Sequence, residues 1–442
     1  MRLLSFSVSN FRSIRATQTL SLYHHWRHST PPEDGWDLVS QPVTVLVGPT
    51  ASGKSSVLDA LNFALRAIAS SATSWLEGAA PNQLPHNPFR LDPRTQALPS
   101  TFELEFDVAG VRYLYGFQWS FTGVHAEWLS RVPSSRWSPC FVRSRGEETQ
   151  WTRTFMSRGD VAKLGPLAHT ELILSVGLRE DHPVLAPLAD ALVDNVAYLP
   201  HARASRGSVE RLTQLMREGT LRLEEAGPLL RAADPNIHYV RLDQERIPEH
   251  SFRQLRPVIA ALSGTDGAAA LGDASLTYSD AELTSLLHAV VVEHRGEDAH
   301  YCLGILDESG GTRDWLATAP VLLSVLRRGG ILVADELDAT LRPALLDFMI
   351  HAFNDPTINV HGAQLVFTSH TYSVLERASE LGLDPNGFWS VDKTAAGESR
   401  LTHGTDERMA SFSYARSPLS QRSTTASRAA LDALRTLVTT GA

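Results

Sequence analysis

One short stretch limits the fold of this chain more than any other feature, because it fits the pattern G-x-x-x-x-G-K-[ST] at every fixed position. The apolar run 43–47 precedes it, and a helical pattern of apolar residues begins at Ser55. Such a run is typical of a strand that is buried on both faces. Strand, glycine-rich loop and helix together predict a phosphate-binding loop; the alternative is a glycine turn before a helix. The predicted loop consists of Gly48, Pro49, Thr50, Ala51, Ser52, Gly53, Lys54, Ser55 and Ser56.

The residue types in this loop suit the phosphates of ATP. Backbone N–H groups around 50–55 are predicted to point at phosphate oxygens, and the helix N-terminus adds positive potential. Gly48 and Gly53 let the backbone approach the ligand closely. Lys54 is expected between the β- and γ-phosphates, and the Ser55 hydroxyl is expected to ligate Mg²⁺. ATP and Mg²⁺ are therefore the predicted ligands.

A second apolar run, 331–334, ends in two carboxylates and is expected to face the loop. Asp335 is predicted to bind Mg²⁺ through water, and Glu336 to polarise the water that attacks the phosphate. The alternative is an acidic pair that caps a helix after a strand. That alternative becomes weaker once His370, at the end of a third strand, is taken into account.

The third apolar run, 364–368, leads to Ser369 and His370. A lone histidine is usually structural. This one follows the acidic pair and stands at a strand end, where a side chain can sense the γ-phosphate. We therefore predict that His370 is functional and group it with Lys54 and Glu336 as catalytic.

A glycine-rich turn lies just upstream of the acidic strand. Ser309, Gly310 and Gly311 precede a predicted helix over 314–327. An ordinary turn with a Ser or Thr cap is one interpretation. The other is a second set of backbone N–H groups for a γ-phosphate. Because two helix N-termini do not easily share one phosphate, we expect this second set to come from another subunit.

Alternation of apolar residues predicts paired strands at the start of the chain. Leu4, Phe6 and Val8 alternate with serines, and the segment 17–23 alternates again. We predict that this pair forms a small β-layer beside the nucleotide. Arg12, in the turn between the strands, is expected to contact a phosphate or the adenine; the alternative is a solvated turn.

A hairpin is predicted further along the chain, because 102–108 and 111–119 alternate around Ala109-Gly110. We expect this hairpin to belong to the same antiparallel β-layer as the first strands. The further strands expected in that layer are 124–132, 140–142, 239–242 and 289–293.

Composition excludes several classes of protein. The chain has 442 residues, enough for two or three domains or for one large domain with insertions, and its 43% hydrophobic residues support a sizeable core. Its net charge of −9 gives no general attraction to nucleic acid, so a nucleic-acid contact would need a local basic patch.

Cys140 and Cys302 match no metal spacing. No signal peptide and no run of 18 apolar residues are found, so a cytoplasmic protein without a membrane span is expected.

Together these residues resemble the ABC-type ATPases of the structural-maintenance-of-chromosomes and RecF group. Within it, the chain is similar to bacterial AAA ATPases of the RloA and abortive-infection class. The motifs that carry the resemblance are Asn10 to Ile14, Gly48 to Ser56, Pro88 to Asp92, Gly110 to Gly116, Leu172 to Val176, Ser309 to Thr312, Asp335 to Pro343 and Thr368 to His370.

The resemblance implies an α/β fold, namely an ABC-type ATPase head with a mixed P-loop sheet, an antiparallel β-layer and an inserted helical lobe. The expected divisions are an N-terminal ATPase half over 1–157, a helical lobe over 158–235 and a C-terminal ATPase half over 236–400. A flexible tail with a terminal helix is expected over 401–442.

The function implied is ATP hydrolysis by a homodimer or higher homo-oligomer that assembles around ATP and gates a partner in anti-phage defence. The effector is expected to be a separate chain, because no acidic cluster after His370 resembles a metal nuclease site. A nucleic acid or a phage component is a further candidate partner. The alternatives are a RecF-like repair ATPase that DNA stimulates, and a nucleotide-locked scaffold with little turnover.

Overall fold

The computed structural model describes residues 1–23, 40–77, 84–134, 136–200, 206–264, 278–370, 373–404 and 425–440. The chain forms two compact units. The first contains residues 1–198, 329–335 and 363–415, and the second contains 199–328, 336–362 and 416–442. The helical segment predicted at 158–235 is shared by both units, and its status as a separate lobe stays a prediction. Most of the predicted flexible tail lies outside the described residues.

The strands, numbered along the chain, are β1 Arg2–Ser9, β2 Gln18–Ser21, β3 Val43–Val47, β4 Ser100–Val108, β5 Val111–Ser120, β6 Gly123–Val132, β7 Ser138–Ser144, β8 Gln150–Trp151, β9 Val196–Leu199, β10 Ile237–Leu242, β11 Val290–Arg295, β12 His300–Gly304, β13 Ile331–Ala334, β14 Gln364–Ser369, β15 Phe388–Lys393 and β16 Ser399–His403.

The helices are α1 Lys54–Ser70, α2 Ser74–Glu77, α3 Pro93–Gln96, α4 Arg158–Lys163, α5 Ile173–Arg179, α6 Ala186–Val193, α7 Arg206–Arg217, α8 Leu223–Leu230, α9 Glu249–Leu262, α10 Asp280–Ala289, α11 Gly310–Arg328, α12 Leu337–Thr340, α13 Pro343–Asn354, α14 Ser373–Glu376 and α15 Thr425–Thr440. Within the described ranges, no helix is both long enough and apolar enough to cross a membrane.

The first unit contains the predicted antiparallel β-layer, a seven-stranded sheet in the order β2-β1-β4-β5-β6-β7-β8. The predicted pairing of the first two strands is confirmed, since Phe6 lies opposite Leu20. The predicted hairpin is also confirmed: β4 and β5 pair up to Val108 and Val111. Both residues of its loop, Ala109 and Gly110, have positive φ, as a tight two-residue turn requires.

Two strands expected in this layer belong elsewhere. Residues 239–242 and 290–293 do form strands, but these belong to β10 and β11, which pair with each other in a separate three-stranded sheet of the second unit, where β11 also pairs with β12. Alternation of apolar residues predicts a strand and its buried face, but it does not specify the partner. The prediction that these strands return to the β-layer is therefore wrong.

The second sheet of the first unit carries the P-loop strand at its centre, in the order β16-β15-β3-β14-β13-β9. β3 is parallel to β14 and β15, and β14 is parallel to β13, while β16 is antiparallel to β15. The predicted α/β class with a mixed P-loop sheet and an antiparallel β-layer is thus confirmed. Because the carboxyl ends of parallel strands meet at one edge, the residues that follow β3, β13 and β14 lie close together.

Helix α1 lies in the core of the first unit. The apolar face predicted from its sequence is buried, from Val57 and Leu58 through Leu61 to Ile68. These side chains share one hydrophobic core with residues of the β-layer, such as Phe6 and Phe102, and of the P-loop sheet. Burial of such side chains contributes roughly 1.5–3 kcal/mol each, so the core fixes the position of the loop at the start of α1.

A single glutamine joins strands from opposite ends of the chain. The Gln364 amide accepts a hydrogen bond from the backbone N–H of Leu3 and donates one to the Leu3 carbonyl, each with a donor–acceptor distance of 3.0 Å. Both residues are buried. A buried amide needs such partners, because an unpaired polar group costs about 1–3 kcal/mol. The contact therefore aligns β1 with β14.

The second unit is built around α11. The Trp315 indole of this helix donates to the Leu229 carbonyl over 2.8 Å, and its ring meets that of Phe348 edge-on at 5.5 Å. Near the other end of α11, Arg327 bonds Glu225 at 3.0 Å and the carbonyl of Leu437 at 2.9 Å. The predicted terminal helix exists as α15 and packs on α11 in this way.

Candidate nucleotide site

The predicted phosphate-binding loop joins β3 to α1, as its pattern requires. Gly53 is the N-cap of α1 and has φ 107°, in the left-handed region that favours glycine. A Cβ at this position would overlap the Ser399 hydroxyl and lie 2.7 Å from that of Ser13. Backbone conformation and lack of space therefore both require glycine at this position.

Lys54 is the first residue of α1 and is 4% exposed. Its Nζ donates to the carbonyls of Gly48, at 2.7 Å, and Pro49, at 3.1 Å. Nζ also lies 3.2 Å from Nδ1 of His370. Because an ammonium only donates, Nδ1 accepts and the ring proton is assigned to Nε2. The lysine and the histidine predicted from separate strands are thus brought together.

Ser55 and Asp335 are also brought together. The Ser55 hydroxyl donates to Oδ1 of Asp335 over 3.1 Å, and the same oxygen accepts from Thr368 Oγ1 over 2.6 Å. Asp335 and Thr368 are both buried. Three elements therefore supply this cluster: α1, the end of β13 and β14. Hydroxyl and carboxylate oxygens are the hard ligands that Mg²⁺ prefers.

A buried polar atom tests whether the loop suits an anion. Ser52 is 2% exposed, and within the described part of the chain its Oγ has no hydrogen-bond partner. Burying an unpaired hydroxyl is unfavourable, so such atoms usually mark a missing partner. A ligand oxygen at the loop would provide that partner. Together with the buried Lys54 ammonium and the oxygen cluster around Asp335, this fits phosphate and Mg²⁺.

Arg12, predicted to contact a phosphate or the adenine, forms an ion pair with Asp59 of α1. Asp59 also accepts from the Tyr198 hydroxyl over 3.1 Å. Burial, and next the negative charge of Asp335, raise the pKa of Tyr198 to about 12. Tyr198 therefore stays neutral and acts as a hydrogen-bond donor. The Arg12 side chain is half-exposed and can still meet a ligand.

An open pocket of about 370 Å³ lies beside Arg12. Three basic residues line it, namely Arg12, Arg90 and Lys393. Lys393 also donates to the carbonyl of Ala51 in the phosphate loop, over 3.2 Å. A concave, basic pocket next to a phosphate loop has the size and charge expected for a small anionic ligand.

Sequence reasoning missed a group of hydroxyls behind the loop. Ser13 donates to Ser56 over 2.9 Å, and Ser399 lies 2.8 Å from Ser13 and 2.7 Å from the carbonyl of Ser52. Ser13 belongs to the Asn10 to Ile14 motif, which could have indicated it. Neither Lys393 nor Ser399 stands in a recognisable pattern, because their positions depend on the pairing of β15 with β16.

Glu336 directly follows Asp335 and is the N-cap of α12 in the second unit. Its φ is 51°, a left-handed conformation that is uncommon for a residue with a side chain. Backbone strain of this kind, of order 1–3 kcal/mol, is concentrated at functional sites. The observed outlier favours a functional residue, although its role as general base stays a prediction.

Ser309 caps α11, and its hydroxyl accepts from the backbone N–H of Thr312 over 3.2 Å. Arg342 donates to the same hydroxyl over 3.2 Å. A Cβ on Gly311 would lie 2.9 Å from the Arg342 guanidinium, so this turn packs closely on the loop before α13. This is the cap geometry of the ordinary alternative, and the predicted phosphate role of Ser309, Gly310 and Gly311 in a second subunit stays a prediction.

Comparison with sequence families finds one match at the nucleotide site. Residues 43–173 match the family described as "AAA domain, putative AbiEii toxin, Type IV TA system". The matched segment begins at β3 and includes the phosphate loop and α1. It supports an AAA-type nucleotide-binding ATPase. The chain matches no curated protein significantly.

Comparison with solved structures finds a similar chain in the "Crystal structure of the SmcHead bound to the C-winged helix domain of ScpA". The sequence identity is 12%, the match covers 93% of this chain and 100% of that chain, and the TM-score is 0.38.

Proposed function

We propose that this chain is an ATPase that binds Mg·ATP at the phosphate loop and hydrolyses it. The observation that carries the proposal is the cluster at one sheet edge: the Ser55 hydroxyl on the Asp335 carboxylate, with the Lys54 ammonium beside His370. A ligand with closely spaced negative charges and a bound cation would use all four groups.

The residues divide the work by chemistry. Lys54 and the loop N–H groups hold phosphate oxygens, and Ser55 and Asp335 would hold Mg²⁺, which neutralises phosphate charge when bound. Glu336 accepts a proton from the attacking water. His370, with its proton on Nε2, donates a hydrogen bond toward the terminal phosphate. Arg12 and the pocket beside it bind the nucleoside end.

ATP binding is proposed to join two copies of the chain in a homodimer, or in a higher homo-oligomer built from such pairs. Each ATP would be held by the phosphate loop of one copy and by Ser309, Gly310 and Gly311 of the other. The start of α11 supports this, because a helix of 19 residues presents N–H groups and positive potential at its N-terminus. Hydrolysis would then release the pair.

The biological role proposed is control of a separate effector chain in anti-phage defence, in the cytoplasm. The resemblance to abortive-infection ATPases supports it, as does the description of the family that matches residues 43–173. The test is phage plating on bacteria that carry this gene with its neighbouring genes. Protection that Lys54→Ala and Glu336→Gln abolish supports the role, and equal plating with and without the genes contradicts it.

Lys54→Ala tests the ATPase itself. We expect the variant to bind no fluorescent ATP analogue at concentrations that saturate the wild type, and to release no phosphate. Lys163→Ala is the matched control, because Lys163 is an exposed lysine of the same unit whose ion pair, among the residues that the structure describes, is with Asp160 alone. Wild-type affinity in Lys54→Ala would remove the proposal.

The same phosphate-release assay separates the alternatives. Turnover that rises severalfold with gapped duplex DNA would favour a repair ATPase. ATP binding without phosphate release by the wild type would favour a nucleotide-locked scaffold.

A further inference from the structure

The three-stranded sheet of the second unit carries two histidines and a glutamate on neighbouring strands. His238 is on β10, Glu293 on β11 and His300 on β12. One ligand atom from each of the three lies within 4.8 Å of the other two. His238 and His300 are exposed, and Glu293 is half-buried. None of them belongs to the nucleotide site, and no site motif predicted from the sequence includes them.

A β-bulge brings His238 to this face of the sheet. Ile237 lies opposite His294 and Tyr239 opposite Glu293, so His238 is an extra residue without a cross-strand partner. In a bulge, two residues of one strand oppose one residue of its neighbour, and the bulged strand is re-aimed. Without the bulge, strict alternation would place His238 and Tyr239 on opposite faces.

His300 reaches the same face through the pairing of β12. Arg295 lies opposite His300 and Glu293 opposite Cys302, so Glu293 and His300 share one face two positions apart. Nδ1 of His300 is 2.7 Å from Oε1 of Glu293. The His238 and His300 rings lie 4.3 Å apart between centroids, with 34° between their planes. The three side chains thus converge on one point outside the sheet.

We propose that His238, Glu293 and His300 form a binding site for a divalent transition metal, with Zn²⁺ the best-suited ion. Two imidazole nitrogens and one carboxylate oxygen are a common zinc donor set, in which water completes the tetrahedron. Imidazole donors also select zinc over Mg²⁺ and Ca²⁺, which prefer oxygen ligands only. A bound ion would take the place of the direct contact between His300 Nδ1 and Glu293 Oε1.

An ordinary surface ion pair accounts for His300 and Glu293 alone. It does not account for His238, whose ring nitrogens make no hydrogen bond to any residue that the structure describes, although the ring lies against His300. A metal ion uses all three side chains. Since each ligand comes from a different strand, one ion would tie the edge strand β12 to β11 and β10.

The test is zinc titration of the full-length chain, without a histidine tag and with a phosphine reductant, followed by calorimetry. We expect the double variant His238→Ala/His300→Ala to bind one equivalent fewer than the wild type. Loss of an outer-shell partner alone costs about 10–100-fold in affinity, so loss of two ligands should cost at least about 100-fold. Cobalt gives a second readout, because tetrahedral Co²⁺ absorbs visible light strongly and the double variant should lack that absorption.

The matched control is His288→Ala/His361→Ala, which removes two exposed histidines of the same unit that lie outside the cluster. This control should still bind the equivalent of zinc that His238→Ala/His300→Ala loses. Circular dichroism without metal should be the same for all three proteins, since the replaced side chains are exposed. Zinc should raise the thermal unfolding midpoint of the wild type and control only. Equal stoichiometry in both double variants, or no zinc uptake by the wild type, would overturn the proposal.

Discussion

The Ser55 hydroxyl donates a hydrogen bond of 3.1 Å to the Asp335 carboxylate, although the two residues are 280 positions apart in the chain. The contact joins the phosphate loop to the acidic strand and exists because β3, β14 and β13 run parallel in adjacent positions. Thr368, at the end of the strand between them, bonds the same carboxylate oxygen. The middle strand therefore fixes the distance between the two motifs.

Gly53→Ala should abolish ATP binding by distorting the loop. Its Cβ would overlap Ser399 and lie 2.7 Å from Ser13 Oγ, and its φ of 107° is unfavourable for alanine. We expect a destabilisation of about 1–3 kcal/mol, measured by denaturant unfolding, and loss of binding to an ATP analogue. Gly159→Ala is the control, since its Cβ would meet only Ser157 Oγ, at 3.7 Å. Unchanged ATP affinity in Gly53→Ala would contradict this prediction, because the loop would then accommodate the added Cβ.

Glu336→Gln should separate binding from hydrolysis. Glutamine keeps the size and polarity of the side chain but cannot accept a proton as a carboxylate does. Turnover should therefore fall by about 10²–10⁴-fold, the usual contribution of a general base, while Mg·ATP still binds. Because ligand binding favours the state that binds it, the ATP-joined assembly should accumulate. Phosphate release and light scattering with Mg·ATP measure the two effects.

The control for this variant is Glu297→Gln, which changes an exposed glutamate in the turn between β11 and β12. It should behave as the wild type in both assays. Wild-type turnover in Glu336→Gln would refute the role of Glu336. An inactive Glu336→Gln that shows no ATP-dependent change in mass would leave Glu336 catalytic and refute assembly around ATP.

Ser309→Arg should abolish hydrolysis and leave ATP binding by the separate chain nearly intact, because Ser309 is proposed to act on the ATP of the neighbouring copy. The new guanidinium would also stand beside Arg342, which now donates to Ser309. Ser309→Ala is the control for loss of the cap alone, worth about 1 kcal/mol. Phosphate release and filter binding measure both properties.

Mixing Ser309→Arg with Lys54→Ala gives a sharper test of the same assignment. A mixed pair contains one site with both an intact phosphate loop and an intact Ser309, so phosphate release should reappear. With random pairing of a symmetric dimer, we expect about a quarter of the wild-type rate. If the mixture stays as inactive as each variant alone, Ser309 does not act across the interface.

His86→Gln should reduce the loss of stability in acid. Burial, and next the charge of His125, lower the pKa of His86 from 6.5 to about 4. Within the described chain its Nδ1 has no partner, while Nε2 bonds Ser100. The unfolded chain therefore binds a proton at this histidine more readily than the folded chain does. The contribution of His86 to the free energy of unfolding is complete above pH 6.5 and is lost as the pH falls toward about 4. Urea unfolding near pH 7 and pH 5 should show a smaller drop for the variant, whereas the exposed-site control His361→Gln should match the wild type.

The local parts of the site could be predicted from the sequence. The loop Gly48 to Ser56 has a fixed pattern, and α1 and the hairpin 102–119 have clear periods, so their type and buried faces followed directly. The strand ends at Asp335 and His370 were also predicted as partners of the loop. Parallel strands beside a phosphate loop bring the residues at their carboxyl ends together, whatever the length of the segments that connect the strands.

Contacts that depend on pairing between distant segments could not be predicted. Ser399 and Lys393 reach the loop only because β15 pairs with β3, and neither residue stands in a pattern of its own. The separate sheet of β10, β11 and β12 was missed for the same reason. The bulge at His238 also breaks the alternation from which faces are predicted.

The hydrogen bonds between Gln364 and Leu3 have a consequence for how the protein is made. They link residues 361 positions apart, so β1 emerges from the ribosome long before its partner. At about 5–20 residues per second, the delay is roughly 20–70 s. During that time the phosphate loop also lacks Thr368 and His370. A nascent chain can therefore pair β1 with β2 and β4 early, but it cannot assemble a complete nucleotide site until the segment with Thr368 and His370 has been made.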